Sequence, residues 1–214
     1  MLAFALARLR FKFALWACFI KSLFSLPMSL CHHTLTLAFL RPAHDDDRVS
    51  LLAARCSKHG MCHVELVFED GNAFSIFMEF PLGLRCRTFS NPGYELVSIS
   101  VSAEEYRACR QFCNAAVKNP YPFDNWGMYL ASVHPGACAH RSSARVGSTF
   151  CSKIITEALQ HGGVREVYGL SPSAVTPSRL YQAIMKSDRR VCHTVRPMMR
   201  GGTTLLEMEP LIMR

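Results

Sequence analysis

The clearest alternation of apolar and polar positions runs from residue 61 to residue 80, MCHVELVFEDGNAFSIFMEF. Two apolar runs rich in β-forming residues flank Asp70-Gly71-Asn72, residue types that tolerate a positive φ angle. The pattern predicts a β-hairpin. Because successive side chains on a strand point to opposite faces, His63 and Glu65 should share one face of its first strand. That face therefore begins with two titratable groups.

A second strand, followed at once by a helix, is predicted further along the chain. YELVSISVS, Tyr94–Ser102, has the composition of a strand. Ser102 and Glu105 then stand three residues apart, as in a capping box, at the head of SAEEYRACRQFCNAAVKN. Apolar positions recur at intervals of three and four along this helix, so Cys109 and Cys113 should face the core.

Shorter patterns complete the predicted organisation. In chain order they are a strand at 34–41 stopped by Pro42, a helix at 50–60 with Ser50 as cap and Gly60 as terminator, a packed aromatic loop at 119–130, a polar loop at 134–147, a helix begun by Thr176-Pro177, and strands at 191–196 and 203–208. Strands segregated from helices predict an α+β fold with an antiparallel sheet.

The segment STFCSKIITEAL, residues 148–159, places a cysteine at the start of a predicted helix that His161-Gly162-Gly163 ends. Helix starts carry unpaired backbone N–H groups and the positive end of the helix dipole, which favour a thiolate. Cys151 is therefore a candidate nucleophile. Core packing is the alternative role for a cysteine at this position.

Composition favours one main domain behind a separable leader. The chain has 214 residues, is 50% hydrophobic and carries a formal charge of +8. Residues 1–44 contain five basic residues and no acidic one. We divide the chain into a hydrophobic, basic leader, residues 1–33, and a domain, residues 34–214. The ten cysteines are scattered through a chain that can bury a core, which favours free thiols in a reducing compartment.

The leader has three interpretations. Its apolar centre, Phe13–Ile20, is stopped by Lys21 and is far shorter than the ~20 residues that span a bilayer. A signal peptide, an amphipathic helix lying on a membrane surface, and a helix packed on the domain or a poorly ordered extension all fit this pattern.

A catalytic thiol needs a base, usually a histidine, and a polar group that orients that base. Of nine histidines, only His63 opens a well-defined strand with an acid on the same face, namely Glu65. The others lie in the leader, in predicted loops or in the basic tail, except His59, which directly precedes Gly60 at the end of a predicted helix. A structural role for His63 on the strand is the alternative.

The segments HVELVFEDG, NAFSIF and TFCSKIITEALQ together resemble the circularly permuted papain-like peptidases of the NlpC type. That superfamily includes bacterial lipoprotein-like hydrolases, lecithin-retinol acyltransferase-like enzymes and proteins of large viruses. In ordinary papain-like enzymes the cysteine helix precedes the histidine strand. The permuted group has the reverse order, as this chain does. The likeness covers roughly residues 34–187.

The resemblance implies a permuted papain-like core, with an antiparallel sheet packed on helices and the histidine strand before the cysteine helix. Cys151 matches the nucleophile and His63 the base. For the third, orienting residue we choose Glu65, with Ser75 on the adjoining strand as the fallback. The implied activity is attack on an amide or ester carbonyl through an acyl-enzyme, as in a cysteine peptidase, amidase or acyltransferase, without cofactor or metal. Peptide, amide or acyl-lipid substrates are expected, with residues 1–33 as a candidate membrane contact.

Three other interpretations remain open. An inactive papain-like fold could serve as a binding or structural protein. A zinc module could draw on Cys109, Cys113, Cys138 and His140, although the first two are predicted to lie on an apolar helix face. Nucleic-acid binding would rest on the basic segment 186–200, which carries no recognition motif, and we do not expect it.

Overall fold

An antiparallel sheet is the centre of the fold. The computed structural model describes residues 32–43, 48–55, 58–119, 121–125, 127–128, 131 and 148–195. Its strands are β1 His32–Leu40, β2 His63–Val67, β3 Asn72–Ser75, β4 Gly83–Cys86, β5 Tyr94–Ser102 and β6 Arg190–Val195. They form one six-stranded sheet in the order β4-β3-β2-β1-β5-β6, with every neighbouring pair antiparallel.

Helices accompany this sheet, and all but the first of them pack against it. They are α1 Arg48–Arg55, α2 Ala103–Val117, α3 Cys151–His161 and α4 Pro177–Met185, with 3₁₀ turns at Arg165–Val167 and Pro172–Ala174. α2 contacts β1 and β5, α3 contacts β2 and β3, and α4 contacts β5. The predicted α+β class with an antiparallel sheet is confirmed. None of the described helices is both long and apolar enough to cross a membrane.

The two faces of the sheet differ in burial. The helix-covered face is apolar, and its fully buried members include Leu37, Leu66 and Val97, which lie in register across three strands. On the other face Thr36 and Ser98 are only half-buried and share a hydrogen bond of 2.8 Å between their hydroxyls. The hydrophobic core therefore lies between the sheet and α2, α3 and α4.

The predicted hairpin is confirmed. β2 and β3 pair with Leu66 opposite Phe74, and the turn lies at residues 69–71. Asp70 accepts a hydrogen bond of 3.0 Å from the backbone N–H of Asn72. Gly71 has a φ angle of +78°, a conformation that glycine adopts without strain.

The predicted starts of α2 and α4 are also confirmed. The Ser102 hydroxyl accepts a hydrogen bond from the Glu105 N–H, and the Glu105 carboxylate accepts one from the Ser102 N–H. Cys109 and Cys113 are completely buried on the core face of α2. Thr176 caps α4, and Pro177 is its first residue.

Other predicted boundaries are wrong. α1 begins at Arg48 and ends at Arg55, so Ser50 is inside the helix and not its cap. Gly60 has a φ angle of +69° in the turn that leads to β2, where it does not terminate a helix. β1 begins at His32, within the segment assigned to the leader, because pairing with the far end of β5 extends the strand.

β4 was not predicted. Its four residues have no strong alternation, and pairing with β3, Leu84 opposite Phe74, determines its conformation. The predicted polar loop 134–147, the predicted strand 203–208 and residues 1–31 of the leader lie outside the described residues.

Candidate active site

Cys151 is the first residue of α3, and this end of the helix lies against the beginning of β2. The buried stripe of α3, with Ile154 and Ile155, belongs to the same apolar cluster as Val64 on β2. Backbone hydrogen bonds from Val64 and Ser152 reach the Cys151 sulfur. The thiol thus lies against the residue that separates His63 from Glu65 in the sequence.

The segment before α3 is held by a small set of polar contacts. Phe150 occupies the N-cap position without a side-chain cap, so the hydroxyls of Ser148 and Thr149 do not cap the helix. Ser148 instead donates a hydrogen bond of 3.0 Å to Asp124, and Thr149 forms a parallel bridge with Phe123. These contacts fix the direction in which the chain enters α3.

Burial dominates the electrostatics of Cys151. The residue is 1% exposed, and burial raises the pKa of its thiol to about 11. The backbone N–H groups at the sulfur lower this pKa, while the carboxylate of Glu65 raises it. The thiol is therefore protonated at neutral pH, and the helix start reduces the cost of ionising it without cancelling that cost.

His63 opens β2 as a buried, neutral imidazole. It is 8% exposed, and its ring packs against that of Phe77 in a tilted arrangement with the ring centres 4.2 Å apart. Burial, assisted by the nearby Arg87 guanidinium, lowers its pKa to about 3. Nε2 lies 4.0 Å from Oε1 of Glu65 and has no hydrogen-bond partner among the described residues. A neutral imidazole has a free nitrogen that can take a proton.

Glu65 is completely buried beside His63 and has several partners. It accepts a hydrogen bond of 2.8 Å from the Tyr94 hydroxyl, and its Oε1 lies 3.1 Å from Nη1 of Arg87. Ser75 also hydrogen-bonds to its carboxylate. Burial raises the pKa of Glu65, and Arg87, Tyr94 and Ser75 oppose that rise. The two residues considered for the third position are therefore in contact with each other.

The predicted residues gather at one end of the sheet, but on two sides of β2. Val64 points to the helix-covered face from which α3 approaches, whereas alternation places His63 and Glu65 on the opposite face. Cys151 contacts the backbone of β2, and the carboxylate of Glu65 lies close enough to influence the thiol.

Sequence reasoning missed three residues of this cluster: Phe77, Arg87 and Tyr94. Leu40 of β1 pairs with both His63 and Tyr94, which puts these residues in one row across the sheet. Only the strand order reveals that row. Arg87 directly follows β4, the strand that the pattern did not predict.

A second buried carboxylate, Glu95, occupies the helix-covered face at the same end of the sheet. It accepts hydrogen bonds from the Tyr181 hydroxyl, from His193 Nε2 and from Arg41 Nη2, the last at 3.1 Å. This cluster joins β1, β5, β6 and α4. Its hydrogen bonds are satisfied within the protein.

Two other predictions can be compared with the structure. Tyr121 and Phe123 of the aromatic loop pack against the main core, whereas Trp126 and Tyr129 lie outside the described residues. Cys109 donates a hydrogen bond of 3.4 Å to the carbonyl of Ala158 inside the core. In the described part of the chain no group of three or more His, Cys, Asp or Glu side chains is placed to hold a metal ion. Cys138 and His140 are outside that part.

Comparison with known proteins finds no match to this chain. No family model, no curated protein and no solved structure matches the chain.

Proposed function

We propose that this chain is a thiol hydrolase or acyltransferase that attacks an amide or ester carbonyl with Cys151. His63 is the general base and Glu65 orients it. The observation that carries the proposal is the position of the Cys151 sulfur, at the first residue of α3 and against the backbone of Val64, between His63 and Glu65 in the chain.

The neutral imidazole has a free nitrogen for the first proton transfer, but a pKa of about 3 makes it a weak base for a thiol with a pKa of about 11, so the proposal requires the two pKa values to approach each other when substrate binds. Because Nε2 of His63 faces Glu65, Nδ1 is the nitrogen that takes the thiol proton. His63 is the first residue of β2, so the route that its imidazole would take to the sulfur runs around the end of the strand and not through the sheet. The proposal requires the side-chain torsions of His63 to change so that Nδ1 reaches the sulfur while Nε2 stays on the Glu65 side of the ring.

The reaction then follows the order of acyl transfer. The thiolate forms a bond to the carbonyl carbon, and the backbone N–H groups at the start of α3 stabilise the oxyanion. The C–N or C–O bond breaks, and the leaving group takes the proton from His63. Water or another acceptor gives a proton to His63, attacks the thioester and releases the Cys151 thiol. Water makes the protein a peptidase or amidase, and another acceptor makes it an acyltransferase.

The substrates we propose are peptides, amides or acyl lipids. The hydrophobic, basic residues 1–33 would bring the domain to a membrane surface where acyl substrates are found.

Thiol labelling of the full chain tests this proposal. The protein is treated with iodoacetamide below about pH 8, and each cysteine is quantified by peptide mass spectrometry. We expect Cys151 to react faster than the exposed Cys86 and Cys192 despite its burial, and His63→Ala to abolish that advantage. Cys109 and Cys113 are matched controls, since they are equally buried but have no histidine base. Intact mass after treatment with an activated ester should then detect one acyl group, absent from Cys151→Ser.

A binding or structural protein with an inactive site is the second candidate. The burial of Cys151 and the high pKa of its thiol favour it. Slow labelling of Cys151, equal to that of Cys109 and Cys113 and unchanged by His63→Ala, would select this candidate and reject the hydrolase.

A further inference from the structure

Two aromatic rings and a carboxylate contact the guanidinium of Arg87. The guanidinium carbon lies 5.2 Å from the ring centre of Phe77 and 5.6 Å from that of Phe89, within the range of cation–π contacts. Its Nη1 lies 3.1 Å from Oε1 of Glu65. Since Phe77 also packs against His63, one arginine is coupled to both the carboxylate and the imidazole.

Tyr94 binds the same oxygen of the Glu65 carboxylate. Its hydroxyl donates a hydrogen bond of 2.8 Å to Oε1, and its ring packs edge-on against Phe89 with the centres 4.9 Å apart. The tyrosine is 6% exposed. Its donor is therefore shielded from water and committed to Glu65.

We propose that Arg87 and Tyr94 are positioning residues of this site, which hold the Glu65 carboxylate ionised and correctly placed beside the His63 ring. This inference rests on the proposed function of Cys151 and His63. It assigns to the chain two residues that act on the reaction only through Glu65.

The physical reason is the cost of a buried charge. A carboxylate that is completely out of water takes up a proton unless a cation and hydrogen-bond donors compensate its charge. The ionised form can accept a hydrogen bond from Nε2–H of His63, which leaves Nδ1 unprotonated for the thiol proton. A protonated Glu65 would be a donor and would favour the wrong tautomer.

The charged and titratable groups around Glu65 come from every element that packs against it. They are His63 on β2, Arg85 on β4, Arg87 after β4, Tyr94 on β5 and Cys151 on α3. Of the two arginines, Arg87 touches the carboxylate, whereas Arg85 acts only at a distance and hydrogen-bonds the carbonyl of Pro81. Arg85 is thus a matched control for the loss of one positive charge.

The test is the pH profile of the His63-dependent reactivity of Cys151. The rate of iodoacetamide labelling at Cys151 is measured from about pH 5 to 9, each time with and without His63→Ala, and the ratio defines the His63-dependent part. In Arg87→Met we expect the acidic limb of this ratio to move to higher pH by about one unit or more, because the Arg87 guanidinium lowers the pKa of both Glu65 and His63 and both protonate more easily without it. Arg85→Met should move it by less than about a third of that, and Arg87→Lys should restore part of the shift. Tyr94→Phe should shift the limb in the same direction as Arg87→Met.

The outcomes separate this inference from the proposed function. A wild-type protein whose ratio stays at one at every pH rejects the hydrolase itself. A wild-type ratio above one, with an acidic limb that stays in place in Arg87→Met and Tyr94→Phe while the rates fall uniformly, rejects the positioning role and leaves these residues with packing alone. Circular dichroism verifies the fold of each variant. If Arg87→Met does not fold, the position of the acidic limb in Arg87→Lys and Tyr94→Phe decides whether the two residues have a positioning role.

Discussion

At the scale of single residues, the pKa values of two buried carboxylates of this protein are shifted in opposite directions. Glu65 is completely buried, and the cost of removing its charge from water raises its pKa. Glu95 is also buried, but hydrogen bonds from Tyr181, His193 and Arg41 hold its pKa below the usual range. Each carboxylate has three donors, so the difference follows from the larger cost of removing the more deeply buried Glu65 from water.

Glu95→Ala should therefore destabilise the fold by about 1–3 kcal/mol, because it removes the common acceptor of three donors, which lie on α4, on β6 and directly after β1. Because Arg41 is half-exposed, its guanidinium can be hydrated in the variant, so the loss of stability should be smaller than for a fully buried ion pair. Urea unfolding followed by circular dichroism measures it. Glu69→Ala is the control, since that carboxylate is exposed and binds only His33 and the Thr34 N–H, and should cost less than about 1 kcal/mol. Equal losses for the two variants would contradict this account of Glu95.

At the scale of the elements, the packing of α2 on the end of α3 depends on a missing side chain. A Cβ atom at Gly162 would lie 2.1 Å from the sulfur of Cys109 and 3.1 Å from the carbonyl oxygen of Glu105. The first distance is far below van der Waals contact. Gly162, which directly follows α3, therefore also allows α2 to pack closely against the end of α3.

Gly162→Ala should destabilise the protein by about 1–3 kcal/mol through overpacking. Thermal or urea unfolding measures the effect. Gly169→Ala is the matched control, because no atom lies within 4 Å of its added Cβ, and it should be close to neutral. Cys109→Ala in the Gly162→Ala background should recover part of the loss, since it removes the sulfur. Additive effects of the two substitutions would exclude the clash as the cause.

The elements that could be predicted are those with local signals. The capping box of Ser102 and Glu105, the turn at Asp70-Gly71-Asn72 and the Thr176-Pro177 start each place a donor, an acceptor or a fixed φ angle within a few residues. The start of α1 and the existence of β4 have no such signal. Pairing with a neighbouring strand determined β4, and that neighbour is not visible in the local pattern.

At the scale of the whole molecule, titratable groups concentrate at one end of the sheet, where β1 ends and β2 and β5 begin. His63, Glu65 and Glu95 lie there within a few residues of the paired Leu40 and Tyr94. The folded pKa of His63, about 3, lies far below its ordinary value of 6.5. The neutral imidazole therefore stabilises the fold above about pH 6.5, and this stability is lost as the pH falls toward 3.

We expect the free energy of unfolding of the wild type to fall by up to about 1.4 kcal/mol per pH unit from His63 alone below pH 6.5. His63→Gln should be less stable near neutral pH but should lose less with acidification. Urea unfolding of both proteins between about pH 7 and 5.5 measures the slopes, because Glu166, whose pKa is lowered from 4.5 to about 2, begins to contribute once the pH nears 4.5. His32→Gln, at an exposed histidine, should keep the wild-type slope. Parallel slopes for wild type and His63→Gln would show that His63 titrates freely in the folded protein.

The sequence by itself determined the α+β class, the hairpin, α2 and α3 with their buried faces, and the pairing of His63 with Glu65 on one side of a strand. These features depend on periodicity, capping and turn chemistry, which act between residues close in the chain. Only the tertiary structure decided that the Cys151 sulfur is almost fully buried against Val64, and that Arg87 and Tyr94 contact Glu65. Burial and charge compensation depend on residues far apart in the chain, and strand order brings those residues together.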